Sequence, residues 1–339
     1  MKTLRINLFN TIVFLILSVF TLSYAQSLKE VIKAKGGGDT DIAELISKMP
    51  AEVDLLISIN WENLAKTNLT EFALKAYFGD ISELWNIGVD LRKDIKHLII
   101  GSILGNESKY YGVIAGNFDG KKIIENFKQA DIEIRETKVG NVTAYVFEEI
   151  YFIFTNQSII FAGSNRGDDS AMKKILSIGD RNIGHNAEMM SLIKQSETSA
   201  TVWGAVIITE SMKQDFPEDD FMPFDFQKLR TATFFMNYAE SVNAKAFINF
   251  NDVSEPGRLV KFMTDGIASL QEQRWTPDEI KELIRNVKIT AEGKTAGFSF
   301  EMEAKKFHEI IKSLSVQSGI VIEESHSPFN QKIIEENED

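Results

Sequence analysis

The sequence predicts an α+β fold of two related units, each a mainly antiparallel curved sheet with helices packed on one face. Three observations lead there. Short runs of β-branched and aromatic residues recur along most of the chain, separated by turn formers such as Gly140-Asn141 and Glu148-Glu149. Amphipathic stretches with apolar residues at helical spacing follow strands at matching points. The order of elements in the first half then returns in the second.

Residues 1–25 read as a secretory signal peptide. Lys2 and Arg5 precede the apolar run IVFLILSVFTL, and Ser23-Tyr24-Ala25 supplies small-residue cleavage chemistry before Gln26. The core Ile12 to Leu22 is shorter than the roughly 20 apolar residues a spanning helix needs. No later segment is continuously apolar, so no transmembrane segment is expected after cleavage and the expected location is periplasmic or secreted. Residues 26–40, with Gly36-Gly37-Gly38, read as a flexible linker.

The first unit is expected over 41–197. Asp39 or Asp41 caps a helix over IAELISKM, which Pro50 stops. Strands follow at 54–60, 94–103 and 109–118, and the link from Trp61 to Arg92 reads as largely helical. Asp119 is placed to start the helix GKKIIENFKQA, with Ile123, Ile124 and Phe127 on one face. IEIRET, VTAYVF, IYFIF and SIIFAGS then form a meander of hairpins. Helices over DDSAMKKIL and, behind Asn186, over AEMMSLIK close the unit.

The second unit is expected over 198–316. ATVWGAVII stands where DLLISIN stood, TATFFMNY where IKHLIIGS stood, and AKAFINFND where YYGVIAGNFD stood. In the next helix Leu259 and Val260 correspond to Ile123 and Ile124. Thr276-Pro277-Asp278-Glu279 carries a capping box and a proline at the first helical position. NVKITAE, GFSFEME and the helix AKKFHEIIKSL finish the unit, and the acidic residues 317–339 are expected to fray.

One stretch departs from the repeat. DFPEDDFMPFDF at 215–226 packs five carboxylates, four phenylalanines and two prolines into the link that is helical in the first half. Two prolines forbid a continuous helix. The first reading is a cap, with the rings folded on the sheet and the carboxylates in water. The second is a ligand-covering lid formed by Phe216, Phe221, Phe224 and Phe226. A calcium loop comes third, because the alternating Asp-x-Asp-x-Asp-Gly register and its distal Glu are absent.

The run from MPAEVDLLISINWENL through KDIKHLIIG and GVIAGNFDGKKIIENFK to YFIFTNQSIIFAGSNRGDDSAMKKIL, roughly residues 49–200, resembles an exported bacterial family catalogued only as a domain of unknown function. Pro50-Ala51-Glu52 stands at the family's usual opening, and Gly163-Ser164 keeps its hairpin end. The resemblance implies fold and export and supplies no site.

Composition narrows the function classes. The whole chain carries a formal charge of -12, and without Lys2 and Arg5 it has 35 basic against 49 acidic residues, or -14. Such a balance repels phosphate backbones and anionic lipid headgroups, so nucleic acid is not expected as a partner. There is no cysteine, hence no disulfide, no thiolate metal site and no cysteine-linked lipid anchor.

Catalytic motifs fail one by one. His97 lies in an apolar strand, His185 at a helix entry and His326 in the tail. His308 opens His-Glu-Ile-Ile-Lys, which lacks the second imidazole of a zinc helix. Ser170 with Lys173, and Ser191 with Lys194, match Ser-x-x-Lys without its companion elements, Lys294-Thr-Ala-Gly297 being a near miss. Gly116 to Lys121 is one residue short of a phosphate loop. The carboxylate pairs Glu148-Glu149 and Asp168-Asp169 are explained by a turn and by a helix start. The glycosylation-type triplets at Asn68, Asn106, Asn141 and Asn156 are near chance frequency. The expectation is therefore a soluble envelope protein acting as a non-enzymatic binding or structural module, with no cofactor. Its expected partner is an envelope protein or an apolar small molecule. A hydrolase with a dispersed carboxylate site is the alternative, and it requires two inward-facing carboxylates in one cleft.

Overall fold

The computed structural model describes residues 42–67, 89–90, 93–104, 108–155, 157–179, 181–214 and 223–317. The expected signal peptide, the linker, the tail beyond Gln317, most of the Trp61–Arg92 link, and residues Phe216, Phe221, Asn68, Asn106, Asn156 and His326 lie outside them. The first half runs α1 (Ile42–Ser47), β1 (Leu55–Asn60), α2 (Trp61–Leu64), β2 (Ile95–Ile103), β3 (Lys109–Gly116), α3 (Gly120–Gln129). It continues β4 (Arg135–Val139), β5 (Val142–Phe147), β6 (Ile150–Phe154), β7 (Ser158–Ser164), α4 (Ser170–Leu176), α5 (Ala187–Gln195). The second half runs β8 (Val202–Ile207), α6 (Glu210–Gln214), β9 (Leu229–Tyr238), β10 (Ser241–Phe250), α7 (Glu255–Glu272). It ends with α8 (Asp278–Arg285), β11 (Val287–Glu292), β12 (Thr295–Glu303), α9 (Ala304–Gln317).

The fold is α+β. All twelve strands join one antiparallel sheet in the order β11-β12-β10-β9-β8-β1-β2-β3-β7-β6-β5-β4. The two expected sheets are therefore continuous, joined where β1 pairs β8 with Ile57 opposite Gly204 and Ile59 opposite Val202. Counted outward from that seam, the order is β1-β2-β3-β7-β6 on one side and β8-β9-β10-β12-β11 on the other, with β5 and β4 added at the first edge. Strands matched by sequence thus sit at equal distances from the seam.

Alternation along the strands sorts the core into two layers. Even-numbered residues of β10 and β12, among them Val242, Ala244, Phe250, Ala296, Phe300 and Met302, pack against α7, α8 and α9 through Leu259, Met263, Leu283 and Ile310. Carried through the cross-strand pairing, the same face in the first half holds Ile114, Phe152, Phe154 and Ile159, which pack on Ile123 and Phe127 of α3. The opposite face of β5 to β7 presents Ala144, Val146, Tyr151, Ile153 and Ala162 to Ala171, Met172 and Ile175 of α4. So the second half keeps its three long helices on one face, as expected, while the first half is covered on both. The reason is the sequence of the outer strands. The uncovered face of β10 and β12 carries Asn243, Lys245, Asn249, Ser299 and Glu301, which need no apolar cover.

Three glycines let rings lie flat on the sheet. Gly112 faces Phe161, Gly163 faces Tyr110 and Gly204 faces Phe234, each directly across a strand pair. An added Cβ would stand 2.1 Å from Phe161, 2.1 Å from Tyr110 and 2.4 Å from Phe234. The aromatic side chain occupies the space that the glycine leaves.

Local chemistry moved two boundaries. The strand expected over IEIRET begins at Arg135, because residues 130–132 finish α3 instead. Asp131 is left-handed at φ 56°, the Asp131 amide donates to Lys128 O at 3.3 Å, and the Ile132 amide donates to Phe127 O at 2.9 Å. That is a Schellman ending on a non-glycine residue. The capping box at Thr276 does not close. The Thr276 hydroxyl is buried without a hydrogen-bond partner, and Glu279 Oε1 instead accepts from Ser313 Oγ of α9 at 2.7 Å.

Candidate functional site

The seam creates a cleft at the end of the sheet where β1 stops and β8 starts. Asn60 ends β1, donates its amide to Thr201 O at 2.7 Å, and caps α2 by accepting the Asn63 amide at 2.9 Å. Thr201 is tied to the end of β9 in both directions. Its amide donates to Asn237 Oδ1 at 3.2 Å, and its Oγ1 accepts the Tyr238 amide at 3.3 Å. Asn237 Nδ2 donates in turn to Glu197 Oε1 at 2.8 Å. Across the β9–β10 turn, the Ala304 amide donates to Glu240 O at 3.0 Å and sets the start of α9. Four segments far apart in sequence therefore converge by backbone and amide hydrogen bonds.

The resulting cleft is about 850 Å³ and is lined by Asn63 of α2 with Lys66 and Thr67 just after it, Ser199 and Thr201 before β8, Asn237 to Ala239 at the turn, and Ala304, Lys305, His308 and Glu309 of α9. The lining carries hydroxyls, carboxamides, a phenol and an imidazole over a surface that is more apolar than polar. Tyr238 is half-buried, and burial pushes its hydroxyl above the usual phenol range, so it stays protonated at neutral pH. His308 is half-buried with Nδ1 lacking a hydrogen-bond partner. Glu309 is exposed at the rim. This arrangement can hold a polar molecule by several directed hydrogen bonds. It contains no second carboxylate to share acid and base roles with Glu309.

A second hollow of about 820 Å³ opens beside it, lined by Glu240, Ser241, Glu282, Asn286, Glu301, Met302, Glu303 and Lys306. Its acids do not form an inward-facing pair. Glu240, Glu301 and Glu303 are exposed, and Glu282 is ion-paired with Lys306. Among the described residues no group of three or more His, Asp or Glu side chains is placed to hold a metal ion.

Among the described residues, the fully buried carboxylate in a charged cluster is Glu255, at the start of α7. It accepts the Asp225 amide at 2.8 Å, and Lys228 Nζ and Arg258 Nη1 lie at 3.2 and 3.3 Å. Burial works upward on its carboxyl, and the Asp225 amide and Lys228 outweigh it, leaving the net shift downward. Neighbouring Asp252 is held at about 2 by the Ser254 amide and hydroxyl and by Lys228. These groups anchor the end of the 215–226 stretch. Phe224 and Phe226 are half-buried against the cluster of Leu229, Phe250, Leu259 and Met263, and Phe224 meets Phe250 edge to face at 6.2 Å. They lie with α7 and not in the cleft, which their residues do not line.

The remaining singled-out residues have local partners. His97 is buried in β2 opposite Asn60, and His185 lies in the short turn before α5. Lys173 is paired with Asp169 at 2.8 Å, and Ser191 Oγ accepts from Gln195 at 3.1 Å. Asp168 accepts from Ser164 Oγ at 2.9 Å and from the Ser170 amide at 3.1 Å, and hydrogen bonds from the Ser170 hydroxyl, the Ser164 hydroxyl and the Ser170 amide lower its pKa. Glu148 takes a left-handed turn conformation at φ 52°.

No family model and no curated protein matches the chain. Crystal structures of TP0453 are distantly similar to the chain. Crystal form I aligns over 82% of this chain and 98% of that one at 12% identity and a TM-score of 0.46. Crystal form III aligns over 81% and 99% at 11% identity and 0.48. At that level of similarity the likeness assigns no role to any residue. Reading the sequence missed Lys66, Thr201, Asn237, Tyr238 and Lys305 as a set, because nothing local marks them. His308 was visible only as half of a zinc motif.

Proposed function

We propose that the chain is an exported, non-enzymatic binding module whose ligand sits in the cleft between α2, the β9–β10 turn and α9. The observation that carries this reading is a cleft of about 850 Å³, within the range of small-molecule sites, whose mainly apolar surface is set with hydroxyl, carboxamide and imidazole groups. The two sequence-matched halves, read as a duplication, supply its opposite walls. Export rests on the N-terminal pattern, with a mature terminus expected at Gln26. The mixed lining suits a small molecule with both apolar and polar parts. The alternative hydrolase has less support, since the described carboxylates near either hollow are exposed or ion-paired.

Native mass spectrometry of protein recovered from the envelope tests this. A defined non-covalent mass is expected on the wild type and is lost from Thr201→Val combined with Tyr238→Ala. A bare polypeptide mass in the wild type, or a ligand retained equally by the variant, overturns the cleft as the site. N-terminal sequencing of the same sample should start at Gln26, and a soluble chain starting at Met1 contradicts export.

A further inference from the structure

We propose that two copies of this chain associate by pairing their β4 strands edge to edge, antiparallel about Thr137. β4 ends the twelve-stranded sheet and pairs only with β5 among the described residues, so its outer side presents unpaired backbone groups. The β4–β5 hairpin fixes which groups those are. Its two-residue turn closes on Val139 opposite Val142, with Gly140 at φ 60° in the first turn position. The closing pair of such a hairpin exchanges both of its hydrogen bonds, and bonded and non-bonded pairs alternate from there. Val139, Thr137 and Arg135 therefore bond inward to β5, whereas the amides and carbonyls of Glu136 and Lys138 point outward. Both of these residues are exposed. Lys138 Nζ donates to the neutral Thr143 Oγ1 at 2.5 Å, and neither charge is ion-paired among the described residues.

Faces and charge then select the register. Partners in an antiparallel pair point to the same side of the sheet, so the two-fold axis must pass through a residue, because an axis between residues sets one face against the other. An axis through Glu136 places Glu136 against its own copy, and one through Lys138 places Lys138 against its own copy, both of which are destabilising. Axes through Arg135 or Val139 pair β4 with residues beyond the ends of the strand. The axis through Thr137 sets Glu136 opposite Lys138 of the second copy, twice, at the positions whose backbone groups point outward. Backbone hydrogen bonds and two opposite-charge pairs coincide in that register. Charges on an edge ordinarily deter pairing, and here they deter the alternatives. At the other end of the sheet, Lys288 and Glu292 lie four residues apart in β11 and can meet their copies only at the strand's ends, away from an axis.

The test is sedimentation equilibrium of the full mature chain over a range of concentrations at low salt, where surface charge is least screened. A reversible monomer–dimer equilibrium is expected. Lys138→Glu and Glu136→Lys each set like charges opposite one another at both pairs, so each should weaken the dimer roughly tenfold or more. Glu136→Lys combined with Lys138→Glu returns opposite charges across the axis and should restore association to the wild-type level. A merely structural role for either side chain would not produce that rescue. Lys288→Glu on the β11 edge should leave the equilibrium unchanged. A wild type that stays monomeric at every concentration, a single variant that associates like the wild type, or a double variant that stays weak overturns the proposal. Loss of the dimer in Lys288→Glu also overturns it and moves the interface to β11.

Discussion

Gly204 sits against the Phe234 ring on one side and Leu56 O on the other, at 2.4 and 3.0 Å from where a Cβ would be. Backbone cannot yield as a flexible side chain does, so Gly204→Val should lower stability by about 1–3 kcal/mol in urea unfolding. Gly257, in the first turn of α7, has nothing within 4 Å of its Cβ position, so Gly257→Ala should stabilise by about 0.4–1 kcal/mol. Equal effects at the two glycines would show that ring cover is not what selects Gly204. A second consequence at this scale concerns acid. Asp252 has a folded-state pKa of about 2 against an ordinary 3.8, held down by the Ser254 amide and hydroxyl and by Lys228. A depressed carboxyl stabilises the folded state above its unfolded pKa, and that contribution is lost as pH falls from about 4 through about 2. The wild type should therefore lose more stability than Asp252→Asn across that window. Parallel curves for the two proteins would remove Asp252 from the account of acid sensitivity.

At the scale of elements, the 215–226 stretch is decided by what its end touches. Phe224 and Phe226 pack on the α7 layer, and the Asp225 amide is fixed by the buried Glu255. Full burial of a phenylalanine contributes about 1.5–3 kcal/mol, and these rings are half-buried, so Phe224→Ser with Phe226→Ser should cost about 2–3 kcal/mol together. Normal melting with loss of a copurifying ligand would instead favour a lid. The elements themselves were largely readable. VTAYVF, IYFIF and SIIFAGS are β-branched and aromatic runs between turn formers, and they form β5, β6 and β7 where the pattern put them. The failures are physical. IEIRET alternates too, but a Schellman turn at Asp131 uses the amide of Ile132, and the backbone choice at one residue outweighs side-chain pattern. Thr276 and Glu279 have capping spacing, yet tertiary contact with Ser313 takes the glutamate. A local motif cannot report a competitor thirty-four residues away.

At the scale of the whole molecule, the sequence suggests a recurring order of elements, and it does not show the seam. Nothing in DLLISIN or ATVWGAVII says that these two strands pair with each other, because strand pairing between distant segments leaves no local signature. The cleft shares that invisibility, since its walls come from both sides of the seam. The pairing has an energetic consequence. One apolar cluster runs through it, joining Leu56, Ile57 and Ile59 of β1 to Val202, Trp203 and Ala205 of β8 and to Leu192 and Ile193 of α5. Separating the chain between 197 and 198 would turn both β1 and β8 into edge strands whose side chains are buried on both faces, the kind of edge that pairs with whatever it meets. Residues 41–197 and 198–316 expressed alone should therefore aggregate, while the two expressed together should copurify as a one-to-one complex. The intact chain should unfold in a single transition by fluorescence of Trp203 and by far-ultraviolet dichroism alike. Two separated transitions, or a soluble monomeric fragment with native dichroism, would show that the halves fold as independent units and that the seam is only their meeting place.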